Sequence, residues 1–262
     1  MYPVLFHVGP LPVESFWVMV FLGFVGSTLV TRAEFARQGL SPSLAYDLIL
    51  YAYIGGLVGA RVFLVFTHWH LFVEDPWNFL LSGSGWVFYG GLLGGIAAVL
   101  YGAWRLGVPF SAVFDAGGPA IAIGQAVGRL GCQLAGDGDY GVPTSMPWGM
   151  SYPHGVVPTT ENVHPTPIYE SVLYFAIFYY LWRRRGKSLP GEPLGLYLIL
   201  GSAARFLVEF VRLNTVHAWG LTVAQWISLA LMAAGAAMVI WVRSSQPDRR
   251  GAEAHSGVGA PP

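Results

Sequence analysis

The chain is short of charge. Only 11% of its 262 residues are Asp, Glu, Lys or Arg, against about a quarter in an average soluble domain. The charges balance to a formal zero, which argues against a nucleic-acid partner. Cysteine is nearly absent. Cys132 stands alone, so there is no intrachain disulfide and no cysteine-built metal site. Seven histidines are present, yet none form an HExxH pattern, and neither a metal nor another cofactor is expected. The first apolar run has no basic region before it and no small-residue cleavage site after it, so it is expected to remain as a membrane span.

What is present is apolar: 54% of residues are hydrophobic, with 34 glycines and 10 tryptophans. This composition fits closely packed membrane helices with interfacial aromatics. Seven apolar segments, roughly 13–31, 44–67, 86–106, 112–134, 168–182, 194–213 and 220–242, approach the ~20 residues that cross a bilayer. The expected fold class is therefore all-α, a polytopic membrane protein of seven transmembrane helices. Basic residues follow the first, third, fifth and seventh segments, whereas the loops after the second, fourth and sixth hold none except Arg212 at an edge. The positive-inside rule then places the N-terminus outside and the C-terminus in the cytoplasm. Residues 1–243 read as one membrane domain and 244–262 as a disordered cytoplasmic tail. The insertion at about 135–167 carries Pro143, Pro147, Pro153, Pro158 and Pro165 and no basic residue. It reads as a periplasmic cap over a site.

The fourth segment leads into the most unusual stretch, Asp115 to Gly141. Asp115, Gln125, Arg129 and Gln133 interrupt its apolar run and share one side of a helix at about 100° per residue. A guanidinium at mid-membrane costs about 2.5–3.5 kcal/mol on insertion scales, so Arg129 is expected to face protein or a polar cavity. The plainer alternative is an arginine that only pins helices through a buried carboxylate. With the topology above, Arg61, Arg129 and Arg205 lie at similar depth toward the outer leaflet, with Arg212 at the edge. Such a cluster suits a phosphate, because the planar fork bonds its oxygens in pairs, and suggests a site for an anionic phospholipid headgroup. Arg205, Glu209 and Arg212 are spaced to share a helical face, either as part of that site or as a structural ion-pair ladder. His164 and Glu170 flank the start of the fifth segment. Gly55, Gly56, Gly59 and Ala60 form small-xxx-small pairs for close helix packing, and Gly90-Gly91 open the third segment.

These motifs resemble the prolipoprotein diacylglyceryl transferase family. Gly128-Arg129-Leu130-Gly131-Cys132, continuing to Gly136 and Tyr140-Gly141, is similar to its signature region. His164-Pro165-Thr166-Pro167-Ile168-Tyr169-Glu170 is similar to its His-Pro-Ser/Thr-Xaa-Xaa-Tyr-Glu element, and Arg205-Phe206-Leu207-Val208-Glu209-Phe210 to its Arg-Phe-Xaa-Xaa-Glu-Phe element. Weaker echoes are Gly9-Pro10, Gly59-Ala60-Arg61, Asp115 with Pro119, and Leu221-Thr222 with Gln225. The resemblance implies a bacterial inner-membrane enzyme. It would move the diacylglyceryl group of phosphatidylglycerol to the lipobox cysteine thiol of a preprolipoprotein signal peptide, forming a thioether and releasing glycerol phosphate.

The resemblance implies Arg129 and Arg205 as phosphate-site residues, with Glu209 orienting Arg205 and Gly141 permitting close backbone approach. Arg61, Gln125, Tyr169 and Glu170 join them as substrate-binding candidates. Asp137 and Asp139 stand where many relatives have Glu, and either is open to that correspondence. Two positions depart. Tyr89 replaces a His that is a candidate general base, and Phe16 replaces a Tyr. A Tyr of pKa ~10 is a poor base at neutral pH. Either no base is obligatory, or His164, Asp137 or Asp139 takes its place, or the protein has moved to a related reaction. The competing readings are a non-catalytic member that binds or transports anionic phospholipid, transfer to a different acceptor, and an ion-coupled transporter. The last is disfavoured because the ionisable groups form no relay to the cytoplasm.

Overall fold

Long apolar runs bounded by glycine, proline and basic residues become helices. The computed structural model describes residues 1–81 and 88–245, apart from the side chains of residues 78, 80, 81, 88, 89 and 218. The expected tail beyond residue 245, the start of the third apolar segment at Trp86 and the side chain of Tyr89 therefore lie outside the described residues. The chain opens with a hairpin, β1 (Val4–Val8) and β2 (Leu11–Glu14), paired antiparallel with Val8 opposite Leu11. Gly9, at φ +60°, supplies the left-handed residue its two-residue turn requires. Then come α1 (Ser15–Arg37), α2 (Leu44–Thr67), the short α3 (Trp69–Glu74) and α4 (Pro76–Leu81), α5 (Phe88–Leu106) and α6 (Phe110–Ala135). A second hairpin, β3 (Met150–Tyr152) with β4 (Thr159–Val163), precedes α7 (Thr166–Arg184), α8 (Glu192–Val208) and α9 (Val223–Ser244).

The fold class is helical, as expected, with two small hairpins added. Among the described residues, four helices are long and apolar enough to cross a membrane: α1, α2, α8 with its extension to Val211, and α9. Gly90–Leu106 of α5 is apolar but shorter. Helices α6 and α7 have the length but carry Gln125, Arg129 and Gln133, or Glu170 and several tyrosines, which lower their hydropathy. At most 39% of any of the four apolar windows is buried, and side chains such as Phe66, Ile240 and Trp241 are at least 67% exposed. Apolar surface on that scale is unsuited to water. This is a multi-pass membrane protein.

Contacts divide the chain into two units, Thr28–Val113 and the remainder. In the first of these α2 packs on α5 through glycine. A Cβ on Gly59 would lie 2.3 Å from the Gly90 oxygen, and one on Gly94 would lie 2.3 Å from the Gly55 oxygen. The small-xxx-small reading of α2 holds, and Gly90 belongs to the same packing. A Gly59→Leu chain is expected to lose about 1–3 kcal/mol or more of stability, since neither backbone can yield. Thermal unfolding in detergent measures this, and an unchanged midpoint would contradict the packing.

The other unit is built by α6, α7, α8 and α9 with the start of α1. Its core joins Ala122 and Ala126 to Tyr174, Ile177, Leu181, Tyr197 and Ala204. Helix α1 approaches α6 where a Cβ on Gly23 would sit 3.0 Å from the Gly124 oxygen. The Ser171 hydroxyl ties α7 to α6 by donating to the Ala126 carbonyl at 2.8 Å. Gly195 and Gly235 let α8 and α9 close up, with a Cβ on Gly235 only 2.7 Å from the Gly195 oxygen. Asp115, expected on the Arg129 stripe, serves elsewhere: its carboxylate accepts from the Gly191 N–H at 2.7 Å, ahead of α8. Fourteen residues of helix separate it from Arg129, or about 21 Å at 1.5 Å per residue.

The expected cap at 135–167 folds around the second hairpin. Tyr140 stacks on Tyr152 with ring centroids 4.9 Å apart, and Val163, Met1 and Met150 complete the cluster. The Tyr152 hydroxyl donates to Gln133 at 2.9 Å, fastening the cap to the end of α6. Burial outweighs that bond and pushes the Tyr152 phenol up to about 12.

Candidate active site

Three arginines of this unit are delivered to one place by different local devices. Arg129 sits in the last third of α6. Arg205 lies near the end of α8. Arg212 follows a 3-10 turn, Glu209–Val211, in extended backbone at φ −92°, ψ 158°. The sequence reading gave Arg205, Glu209 and Arg212 one helical face through residue 213. That is corrected here: the regular helix stops at Val208. The turn swings Arg212 toward the cap, where its backbone bridges Gly141.

The three guanidiniums meet the carboxylates of Asp139, Glu170 and Glu209. Glu170 is the hub. Fully buried, it lies 2.9 Å from Arg129 Nε, 2.8 Å from Arg205 Nη1 and 3.5 Å from Arg212 Nη1. Glu209, also buried, holds Arg205 Nη2 at 2.8 Å and lies 3.8 Å from Arg212 Nε. Its other oxygen accepts from Asn214 at 2.7 Å and from the Thr222 hydroxyl at 2.8 Å. Thr222 in turn caps α9, receiving the Gln225 N–H. Asp139 bridges Arg129 to Arg212, with one oxygen on Arg129 Nη1 and the other 2.5 Å from Arg212 Nη2.

The cap loop fixes Asp139. Gly138, at φ +92°, precedes it; its N–H donates to Asp137 at 3.2 Å; and its carbonyl accepts from the Thr166 hydroxyl. Burial opposes ionisation of Asp139, but Arg129 and Arg212 outweigh it and hold the carboxyl below the usual range. Asp137 goes the other way, raised chiefly by burial. The two aspartates, equivalent candidates in the sequence, thus differ: Asp139 meets the arginines, while Asp137 bonds Cys132 and the loop backbone. Ligating atoms of Cys132, Asp137 and Asp139 lie within 4.8 Å of one another, but guanidiniums already occupy Asp139.

Beside the arginines runs a groove of about 440 Å³, lined by Trp148, His164, Tyr169, Leu173, Leu207, Val208 and Val211. Trp148 Nε1 donates to the Tyr169 hydroxyl at 2.7 Å, and His164 Nδ1 lies 3.1 Å from the same oxygen. The Gly141 N–H donates to the His164 carbonyl at 2.8 Å. A Cβ on Gly141 would lie 2.1 Å from the Val211 oxygen, so the backbone approach this glycine permits is to the Arg212 strand.

A model of the family "Prolipoprotein diacylglyceryl transferase" matches residues 3–241. The chain belongs to the prolipoprotein diacylglyceryl transferase family. Among its curated relatives, each named phosphatidylglycerol–prolipoprotein diacylglyceryl transferase, one from Leptospira interrogans is 35% identical over 77% of this chain and 72% of its own. One from Aeromonas salmonicida is 32% identical over 94% and 91%, and one from Gloeobacter violaceus 28% over 92% of each.

Of the residues the family resemblance pointed to, one network or its adjoining groove gathers Arg129, Arg205, Glu209, Glu170, Asp139, His164, Tyr169 and Gly141. Phe16 is one step away: a Cβ on Gly131 would lie 3.3 Å from the Phe16 oxygen. Gln125 is taken up by a hydrogen bond with Tyr197, which places it in helix packing. Arg61 on α2 and Tyr89 on α5 belong to the other unit. The pinning arginine and the ion-pair ladder also prove partly right, since every guanidinium of the network has a carboxylate partner. Sequence reasoning left Arg212 at the periphery and overlooked Asn214 and Trp148, which lie in no apolar pattern. Thr222 showed only in the Leu221-Thr222…Gln225 echo.

Proposed function

We propose that this protein transfers the diacylglyceryl group of phosphatidylglycerol to the lipobox cysteine thiol of preprolipoproteins. One observation carries the reading: guanidiniums from α6, α8 and the following turn converge on shared carboxylates beside an apolar groove. Glu170 and Glu209 hold the three cations in place, and the third positive charge, met here by the more exposed Asp139, is the one the phosphodiester would engage. The thiolate sulfur attacks the glyceryl carbon that bears the phosphate. That carbon–oxygen bond breaks, and glycerol phosphate leaves with the electron pair, its developing charge met by the preorganised arginines. Leu173, Leu207, Val208 and Val211 form a dry wall along the reacting glyceryl unit.

His164 receives the thiol proton in this scheme and returns it to the departing phosphate; Tyr169, anchored by Trp148, holds its ring. The Phe16 backbone lies against Gly131, just beyond Arg129. We further propose seven membrane-spanning helices, α1, α2 and α5–α9, in the bacterial inner membrane. The N-terminus and cap face outward and the C-terminus faces the cytoplasm, an orientation supported by the basic residues in the last turns of α1, α5, α7 and α9.

The test is mass spectrometry of a lipobox peptide incubated with the full chain and phosphatidylglycerol vesicles. A gain of one diacylglyceryl group on the cysteine, with equimolar glycerol phosphate, is expected. A second reading rests on Tyr89 in place of His: phosphatidylglycerol bound and retained without turnover. Lipid co-purifying with no glycerol phosphate released would select it.

A further inference from the structure

The three carboxylates of the network are not equally committed. Glu170 is fully enclosed and meets all three arginines. Glu209 is buried and held by Asn214 and Thr222 as well. The side chain of Asp139 is 31% exposed, and among the described residues its carboxylate oxygens are held by Arg129 and Arg212. Its backbone is the fixed part, between Gly138, the Asp137 side chain and the Thr166 hydroxyl. A rotation about its side-chain bonds removes the carboxylate from the guanidiniums without moving the loop. The arrangement itself, two oxygens of one anion each on a different arginine, is how a phosphate would sit there. The charges also match: with Glu170 and Glu209 in place the arginines keep one excess positive charge, which one aspartate or one phosphodiester neutralises.

We propose that Asp139 is a positioning residue that occupies the phosphate seat when no lipid is bound. It swings toward solvent when the phosphodiester arrives and returns to help expel glycerol phosphate. Without a placeholder, three guanidiniums around two carboxylates would hold a loose anion or repel one another in a low-dielectric site. The product, a phosphomonoester, carries more negative charge than the lipid it came from, so a competing carboxylate hastens its release. The inference rests on the transfer reading for the identity of the lipid, but the competition is a property of the arginines themselves.

The full chain in detergent, wild type and Asp139→Asn, is titrated with glycerol phosphate by calorimetry, and transfer is followed in parallel. Asp139→Asn is expected to bind glycerol phosphate at least ten-fold more tightly. It should show a lower KM for phosphatidylglycerol, a lower kcat and stronger inhibition by product. Asp139→Glu, which keeps the charge, should restore wild-type affinity. A merely structural clamp would give the opposite, weaker binding once the arginines lose their bridge. Unchanged or weakened binding in Asp139→Asn overturns the proposal. So does failure of both Asp139→Asn and Asp139→Ala to fold, because a carboxylate the fold requires cannot swing away. If no variant lipidates peptide yet glycerol phosphate still tightens in Asp139→Asn, the transfer reading fails and the placeholder stands. Intact wild-type transfer with no tightening gives the reverse.

Discussion

Replacing Glu170 with alanine is expected to lower peptide lipidation by at least about a thousand-fold and to cost about 3–5 kcal/mol of stability, the range for removing one partner of a buried ion network. Glu170 has no exposed surface, so no water replaces its oxygens. It stands between guanidiniums of α6 and α8 and that of Arg212; without it they face one another across a small cavity. Glu170→Gln separates charge from shape. Glutamine can still accept one N–H, but its amide presents two donors to a second guanidinium, so activity should remain near the alanine level while stability partly recovers. Thermal unfolding in detergent and initial lipidation rates read the two effects. An alanine variant that melts with the wild type and keeps a tenth of its rate would show that Glu170 is not the hub its contacts describe.

Arg205→Lys should lower kcat/KM by about 10²–10³-fold, the scale for losing one preorganised donor at a site of developing charge. Arg205 spans two carboxylates with two nitrogens, Nη1 on Glu170 and Nη2 on Glu209, each at 2.8 Å. A single ammonium on a flexible stem cannot hold both positions and still aim a donor at a phosphate. Because lysine keeps the charge, stability should fall by only about 1 kcal/mol, comparable to one hydrogen bond. The informative result is that separation of rate from stability. A lysine variant as active as wild type would mean that charge alone suffices and the fork is irrelevant.

The long helices were legible because apolar runs of about twenty residues between polar punctuation allow little else. Even α6 and α7 were readable, although the polar groups they bring to the site depress their hydropathy. The hairpin ahead of α1 was not, since Val4 to Glu14 reads as the approach to an apolar run. Nor were α3 and α4, too short to show as apolar runs between the second and third segments. For the site, the family motifs named most of the residues, while the choice of partner lay beyond them. Glu170 could be placed near the start of α7, but its three arginines arrive from elements 41, 35 and 42 positions away in the chain. Arg212 was mis-set because a 3-10 turn breaks the helical register after Val208. Asp115 shared the stripe with Arg129, yet a stripe gives angle, not height, and the two lie at opposite ends of α6.

Glu209 owes one of its hydrogen bonds to Thr222, the residue that begins the final helix. The set of groups around the arginines is therefore completed from α9, which leaves the ribosome after all three of them. A nascent chain still lacking α9 has its cations but not the full set of groups that aim them. Biogenesis thus imposes an order: competence follows insertion of the whole bundle, and a product cut short after Arg212 would enter the membrane as an inert intermediate.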